Sequence, residues 1–449
     1  MRSAHDREIL RLAWPAFLAL VAEPLFLLSD AAIVGHLGTP ELAGLGIAAV
    51  ILQTIVGLCV FLAYGTTASV ARQLGAGNTA RALAQGIDGV WLALVIGVIA
   101  TGAGLLLLNP AIAAFGASDA VNGFAADYLR IALLGITPLL VMLATTGILR
   151  GLQDTKTPLI VAVGGNVLNL LLNVVLVFGV GSFQGLGIAG SALGSVIAQV
   201  VSAGALLWVV VRAARAEGAA LTPDLPGIRA AGRAGLPLVI RTVTLRAAIL
   251  VTTYAVVAGA AGTANQTVDV ATHQLAMTLW GFLAFVLYAI AIAAQAITGR
   301  HLGAGDLGAA RAVTRRMIQW GAVSGVATGL LLAASSPVLG VLFTNDANVQ
   351  DRLVPVLLVA AIGQPLAGVV FVLDGVLIGA GDGRYLAWAG IVVLLVYAPA
   401  ALLASSIGGL VLVWIAFAGI FMAARGVVLM VRAQGDQWMV TGVSASPRR

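Results

Sequence analysis

Charge is what this chain most lacks. Only 9% of its 449 residues are Asp, Glu, Lys or Arg, and 60% belong to the hydrophobic class. A soluble globular domain carries about one quarter charged residues, so that class is excluded. Cysteine is nearly missing as well: Cys59 stands alone inside an apolar run, which excludes an internal disulfide framework or a Cys-ligated metal site. Lys156 is the single lysine and Thr155 precedes it, so the Gly-x-x-x-x-Gly-Lys-Ser/Thr phosphate loop is not present. No stretch is large and polar enough for a nucleotide-binding domain, and the energy source is expected to be an ion gradient or an outside partner. The four histidines, His5, His36, His273 and His301, fall in the tail, loops or helix ends. None pairs at metal-ligand spacing, and no nucleophile, base and ligand share one layer, so an enzyme is not expected. No cofactor or metal is expected either.

What the chain has is a succession of apolar stretches of 20 or more residues. They predict an all-α polytopic membrane protein with 12 transmembrane helices, near 9–34, 43–72, 84–108, 124–149, 157–180, 186–212, 230–258, 270–299, 312–337, 350–378, 386–404 and 408–431. The first apolar stretch is longer than a cleavable signal, which predicts a retained span. The formal charge of +6 is spread singly or in pairs between spans, a topology signal rather than a nucleic-acid surface. Arg2, Arg7, Arg11, Arg72, Arg81, Arg150, Lys156, Arg212, Arg215, Arg229, Arg233, Arg300, Arg311, Arg315, Arg316, Arg384, Arg425, Arg432, Arg448 and Arg449 fall on one face, against Arg130 and Arg352 on the other. The positive-inside rule then places both termini in the cytoplasm.

The chain repeats itself. Arg72-Gln-Leu-Gly-Ala-Gly-Asn78 returns as Arg300-His-Leu-Gly-Ala-Gly-Asp306, and Thr146-Gly-Ile-Leu-Arg-Gly-Leu-Gln-Asp154 as Asp374-Gly-Val-Leu-Ile-Gly-Ala-Gly-Asp382, both shifted by 228 residues. Two matches at one offset predict duplicated six-helix halves: an N-lobe at 1–214, a cytoplasmic linker at 215–228 and a C-lobe at 229–449. An even number of helices per half points both copies the same way, an arrangement suited to alternating access, with one half rocking against the other.

Acids inside membrane spans are costly and are functional candidates by default. Asp30 lies in the second half of helix 1 among Phe26, Leu27, Leu28 and Ile33. It is either a carboxyl that gains and loses a proton in transport or a hydrated, capping acid at the outer end. Glu23 lies seven residues earlier, near the same face, either as a second protonation site or as a structural acid. Pro24 removes an intrahelical donor and predicts a kink in helix 1. Asn166, Asn169 and Asn173, spaced 3 and 4 apart, form a polar stripe on helix 5 that either glues helices together or lines a cavity with Asp30. Asp374, the repeat partner of Thr146, is either an ion or cationic-substrate site or the partner of Arg241 or Arg246. Asp88 is expected to begin helix 3 beside its dipole.

The Arg-x-Leu-Gly-Ala-Gly elements after helices 2 and 8, the Gly-x-x-x-Gly-x-x-Asp elements after helices 4 and 10, and Asp30-Ala-Ala-Ile-Val-Gly-His36 resemble the multidrug and toxic compound extrusion (MATE) family, and its DinF-like branch most. The resemblance covers essentially the whole chain. It implies a monomeric antiporter of the bacterial inner membrane that expels small cationic or amphipathic compounds in exchange for protons or sodium. It also implies that Asp30 is the proton site, with Asn169, Thr146 and Ser191 in matching positions. Asn173 stands where the family often has a second aspartate; an amide cannot titrate, which leaves Asp30 and Glu23 as the titratable groups there. Asp374 matches an acid that sodium-coupled relatives use. Related exporters that flip lipid-linked or amphipathic lipids share the architecture and supply the alternative reading.

Overall fold

The computed structural model describes residues 4–442, so Arg2, Arg448 and Arg449 of the charge pattern lie outside the described residues. Helices dominate: α1 (Ala4–Gly35), α2 (Thr39–Cys59), α3 (Phe61–Gly75), α4 (Thr79–Leu106), α5 (Leu108–Ala113), α6 (Asp119–Ala132), α7 (Ile136–Gly151), α8 (Lys156–Phe178), α9 (Ile188–Ala216), α10 (Leu225–Ala260), α11 (Gln266–Gly303), α12 (Leu307–Phe343), α13 (Ala347–Gly379), α14 (Gly383–Ile415) and α15 (Met422–Gln434). A two-residue hairpin follows α8, with Gly179 opposite Gln184 and Val180 opposite Phe183. The fold is an all-α polytopic membrane bundle.

Among the described residues, eleven helical stretches are long and apolar enough to cross a bilayer, where the sequence predicts twelve. The difference lies in Gly383–Gln434, 52 residues long, more than twice the ~20 a span requires. Within it Gly409 turns the chain at φ 64 and ψ −149, a conformation open to glycine because it lacks a Cβ, and this turn separates the two spans expected at 386–404 and 408–431. The expected span at 43–72 is two helices, α2 and α3, meeting at Val60.

The duplication is visible in local chemistry. Asn78 caps α4 by accepting from the Arg81 amide at 3.0 Å, and Asp306, 228 residues on, caps α12 by accepting from Ala309 at 2.8 Å. Such caps satisfy amides that the first helical turn leaves without partners. Gly147 sits against Ala63 and its counterpart Gly375 against Ala291, again 228 residues apart, with no room for a Cβ at either.

By compactness, Leu18–Gly235 form one unit, and the described residues up to Phe17 group with those from Leu236 onward. The division therefore runs through α1 and through α10, and the segment 215–228 overlaps the end of α9 and the start of α10. Ion pairing accounts for the grouping of the start of α1: Asp6 accepts from Arg316 at 2.6 and 2.8 Å and from the Trp320 indole at 2.8 Å, and Glu8 pairs with Arg300 at 2.6 Å. At the approach to α10, the Asp224 amide donates to Asp88 at 3.2 Å and the Trp91 indole donates to the Leu221 carbonyl at 3.1 Å. Asp88 is thus buried well inside α4, which starts at Thr79, and ties down the chain before α10 instead of standing in a first turn.

Candidate functional site

In the unit Leu18–Gly235, α1 buries Asp30 to 4% exposure. Three neutral donors converge on its carboxylate. The Ser191 hydroxyl of α9 and the Asn173 amide of α8 donate to Oδ1, the latter at 2.8 Å, and the Tyr128 hydroxyl of α6 donates to Oδ2 at 3.3 Å. Among the described residues no arginine or lysine pairs with Asp30. A buried carboxylate is tolerable only when hydrogen-bonded, and here dipoles rather than a counter-charge do that work.

The stripe on α8 joins helices through hydrogen bonds. Asn173 also donates to Asn169 at 3.1 Å, and Asn169 donates to the Ser195 hydroxyl at 3.0 Å, so these two residues continue the Asp30 network. Asn166, one turn away, donates to the Ala22 carbonyl of α1 at 2.9 Å and so holds α1 beside Pro24. Ser191 and Ser195 are four apart on α9 and share a face. Gly194 between them lies against Asn173 Oδ1, where a side chain would collide.

Glu23, Pro24 and Thr146 stand outside this network. Glu23 is exposed, and no hydrogen bond joins it to Asp30; seven residues along α1 separate the two by about 10 Å. Pro24 is half-buried within α1, which is helical from Ala4 to Gly35. Thr146 is half-buried on α7 without a bond to Asp30. Tyr128 and Ser195 are the members that sequence reasoning missed. Both were signalled by spacing: Tyr128 shares the buried face of α6 with Ala125, Leu129 and Ala132, and Ser195 follows Ser191 by one turn.

In the other unit, Asp374 on α13 is held by two guanidiniums. Arg241 Nε of α10 donates to Oδ1 at 3.0 Å and Arg241 Nη2 to Oδ2, while Arg425 Nη2 of α15 donates to Oδ2 at 3.3 Å. All three side chains are buried. The ion pair with Arg241 is present, and Arg246 is exposed. Arg425, counted by its position among the cytoplasmic charges, joins the pair unannounced. A small cleft beside them is lined by Arg241, Asp374, Arg425 and Thr244, with Leu386, Val393 and Phe421 among its apolar walls. Among the described residues no three His, Cys, Asp or Glu gather as a metal site.

The MatE family profile matches the chain twice, at residues 15–175 and 243–403, a spacing that repeats the offset of 228. Protein DETOXIFICATION 44, chloroplastic, of Arabidopsis thaliana is 30% identical over 439 residues, covering 93% of this chain and 80% of that protein. DNA damage-inducible protein F of Escherichia coli (strain K12) is 28% identical over 389 residues, covering 84% of this chain and 81% of the relative. The crystal structure of the Vibrio cholerae MATE transporter VcmN in the bent form superposes with a TM-score of 0.86 at 21% identity, over 96% of this chain and 97% of that one.

Proposed function

The chain belongs to the multidrug and toxic compound extrusion family of membrane transporters, and from that premise we propose that it is a proton-coupled antiporter in which Asp30 carries the proton. Members of this family are carriers rather than enzymes, and this one is a multi-pass membrane protein. The cargo in this reading is a cationic or amphipathic compound, exported by alternating access from a bacterial cytoplasm, with both termini on the cytoplasmic side as the arginine distribution favours.

The single observation that carries the reading is a buried carboxyl whose partners are all neutral donors. A carboxylate locked to an arginine would lose a full ion pair on protonation; Asp30 has none to lose. Its two oxygens are not equivalent. Oδ1 accepts from Ser191 and from Asn173, whose Nδ2 can only donate, whereas Oδ2 has the Tyr128 hydroxyl alone. A hydroxyl can turn from donor to acceptor, so the proton goes to Oδ2 and Tyr128 turns to receive it. Neutralisation weakens the bonds at Oδ1, since hydrogen bonds to charged groups are worth about 1.5–3 kcal/mol and neutral ones about 0.5–1.5. The tether of α1 to α8 and α9 is loosened at Asp30, six residues beyond Pro24, the place where a helix lacking one internal bond bends most easily. Release of the proton on the other side restores the tether and resets the carrier.

Sodium coupling through Asp374 is the weaker reading, because that carboxylate is already shared by Arg241 and Arg425. The test is dye efflux from proteoliposomes under an imposed proton gradient or an imposed sodium gradient, with wild type beside Asp30→Asn. Proton-driven export lost in the variant supports the reading. Proton-driven export unchanged in the variant, or export driven by sodium alone, refutes it.

A further inference from the structure

Helices α10 and α11 expose polar side chains at a depth where a membrane protein should show lipid only apolar ones. Two contacts give the depth. Asp269 of α11 pairs with Arg352 of α13, and Asp351 beside it is exposed; ionised groups of this kind belong at the water surface of a bilayer. His273, four residues further along α11, meets the Thr253 hydroxyl of α10 at 3.0 Å, about 6 Å inside that surface. Arg246 lies seven residues before Thr253 on the same face of α10, about 10 Å deeper again. Its backbone is therefore about 16 Å down, at the middle of a hydrocarbon core ~30 Å thick. Arg246 is exposed there, and among the described residues no ion pair holds it. Gln274 and Thr278, one turn apart on α11, are exposed as well, and Thr278 donates its proton to the Gln274 carbonyl at 2.9 Å. No Asp or Glu occurs in α10, and none in α11 beyond Asp269.

A charge at mid-depth faces the bundle interior or water rather than lipid tails. Snorkelling to a surface is open to a long arginine but not to a glutamine, and exposed Gln274 stands on the helix that Thr253 and His273 join to α10. We propose that this face of α10 and α11 binds the carboxylate head of an amphipathic compound, with Arg246 as the residue that selects it. A guanidinium presents paired N–H donors that match the two oxygens of a carboxylate, and neither helix offers an acid at that depth to compete for them. Gln274 and Thr278 lie nearer the surface and hydrogen-bond polar atoms further along the ligand. Exposed Val243, Leu250, Tyr254 and Phe282 give its apolar body a surface. The inference deepens the carrier reading and rests on it: of the cargo classes named there, it selects an amphipathic anion. It concerns the unit that does not hold Asp30.

The test uses the full chain in nanodiscs of phosphatidylcholine, with binding followed by calorimetry at neutral pH. Three probes share one apolar body and differ in the head: 2-naphthoate, neutral 2-naphthamide and cationic 2-naphthylmethylammonium. Wild type is expected to bind the carboxylate saturably and about tenfold or more tighter than the amide, the value of one charge-assisted hydrogen bond. Arg246→Gln is expected to bring the carboxylate down to the level of the amide and to leave the amide unchanged. Arg246→Lys keeps the charge and is expected to keep the preference for the carboxylate. The side chain is exposed, so neither variant should unfold the protein, and unchanged amide binding checks this. Carboxylate binding that Arg246→Gln does not weaken, tighter binding of the ammonium probe by wild type, or no binding of any probe overturns the proposal. In a second arm phosphatidylglycerol replaces part of the phosphatidylcholine. Carboxylate binding that persists there supports cargo, whereas its abolition gives Arg246 to an acidic lipid head group and overturns the cargo assignment. Equilibrium binding needs no gradient, so its failure leaves the proton role of Asp30 standing. Proton-driven export lost with binding intact would strike that role alone.

Discussion

Asparagine and alanine at position 30 should abolish proton-driven export alike yet differ sharply in stability. In Asp30→Asn the side chain keeps its shape. Its Oδ1 still accepts from Ser191 and Asn173, and its new Nδ2 can donate to Tyr128, whose hydroxyl turns round to accept. The bonds lose their charge assistance, but the burial of a charge is relieved at the same time, so the net change is small, within about 1 kcal/mol. In Asp30→Ala three buried donors, on Ser191, Asn173 and Tyr128, lose their acceptor at once. Each unsatisfied buried group costs about 1–3 kcal/mol, which sums to about 3–9 kcal/mol if none finds another partner. At roughly 2–4 °C per kcal/mol for a unit of this size, the alanine variant should unfold at least about 4 °C below the asparagine variant. The assay is thermal unfolding of purified protein in one detergent, read by loss of the monodisperse elution peak, with efflux measured on the same preparations. Equal unfolding temperatures for the two variants would show that the three donors do not depend on Asp30, and the account of the network would fall.

Two further outcomes follow from close contacts. Gly194→Ala forces a methyl against Asn173 Oδ1; overpacking of this kind costs about 1–3 kcal/mol, and both the unfolding temperature and the proton-driven efflux rate should drop, whereas unchanged efflux would separate Asn173 from coupling. Asn78→Ala and Asp306→Ala remove equivalent helix caps, so each should destabilise by about 0.5–2 kcal/mol, and the two losses, measured by the same unfolding assay, should agree.

Much of the molecule is legible in local sequence, because a membrane constrains local sequence strongly. Backbone groups in lipid must be satisfied within a helix, so each span announces itself by length and apolarity. The duplication shows as two motifs at one offset, and the structure returns it as matched caps and matched helix contacts. Helical periodicity is local too, which is why the α8 stripe and the Ser191–Ser195 pair can be recognised before any tertiary contact is known. Asp30 stands out for the same reason: an acid among Phe26, Leu27 and Ile33 needs partners that its own helix cannot supply.

Tertiary structure alone decided which partners those were. Tyr128 meets Asp30 across 98 residues, while Thr146, its position suggested by resemblance, does not; distances along the chain carry no information about which helices pack. Arg425 read as one more cytoplasmic arginine, since a charge near a helix end obeys the same topology rule whether it faces water or folds inward to an acid. It lies buried beside Asp374, near the rings of Phe371 and Phe421 and just after the π turn that precedes α15, neighbours that only folding brings together. The matched positions 146 and 374 illustrate the limit: the sequence determined that they are equivalent in the repeat, and packing determined that one is a half-buried threonine outside the Asp30 network and the other the centre of a buried charge cluster, because side-chain chemistry acquires its role from the neighbours that folding brings to it.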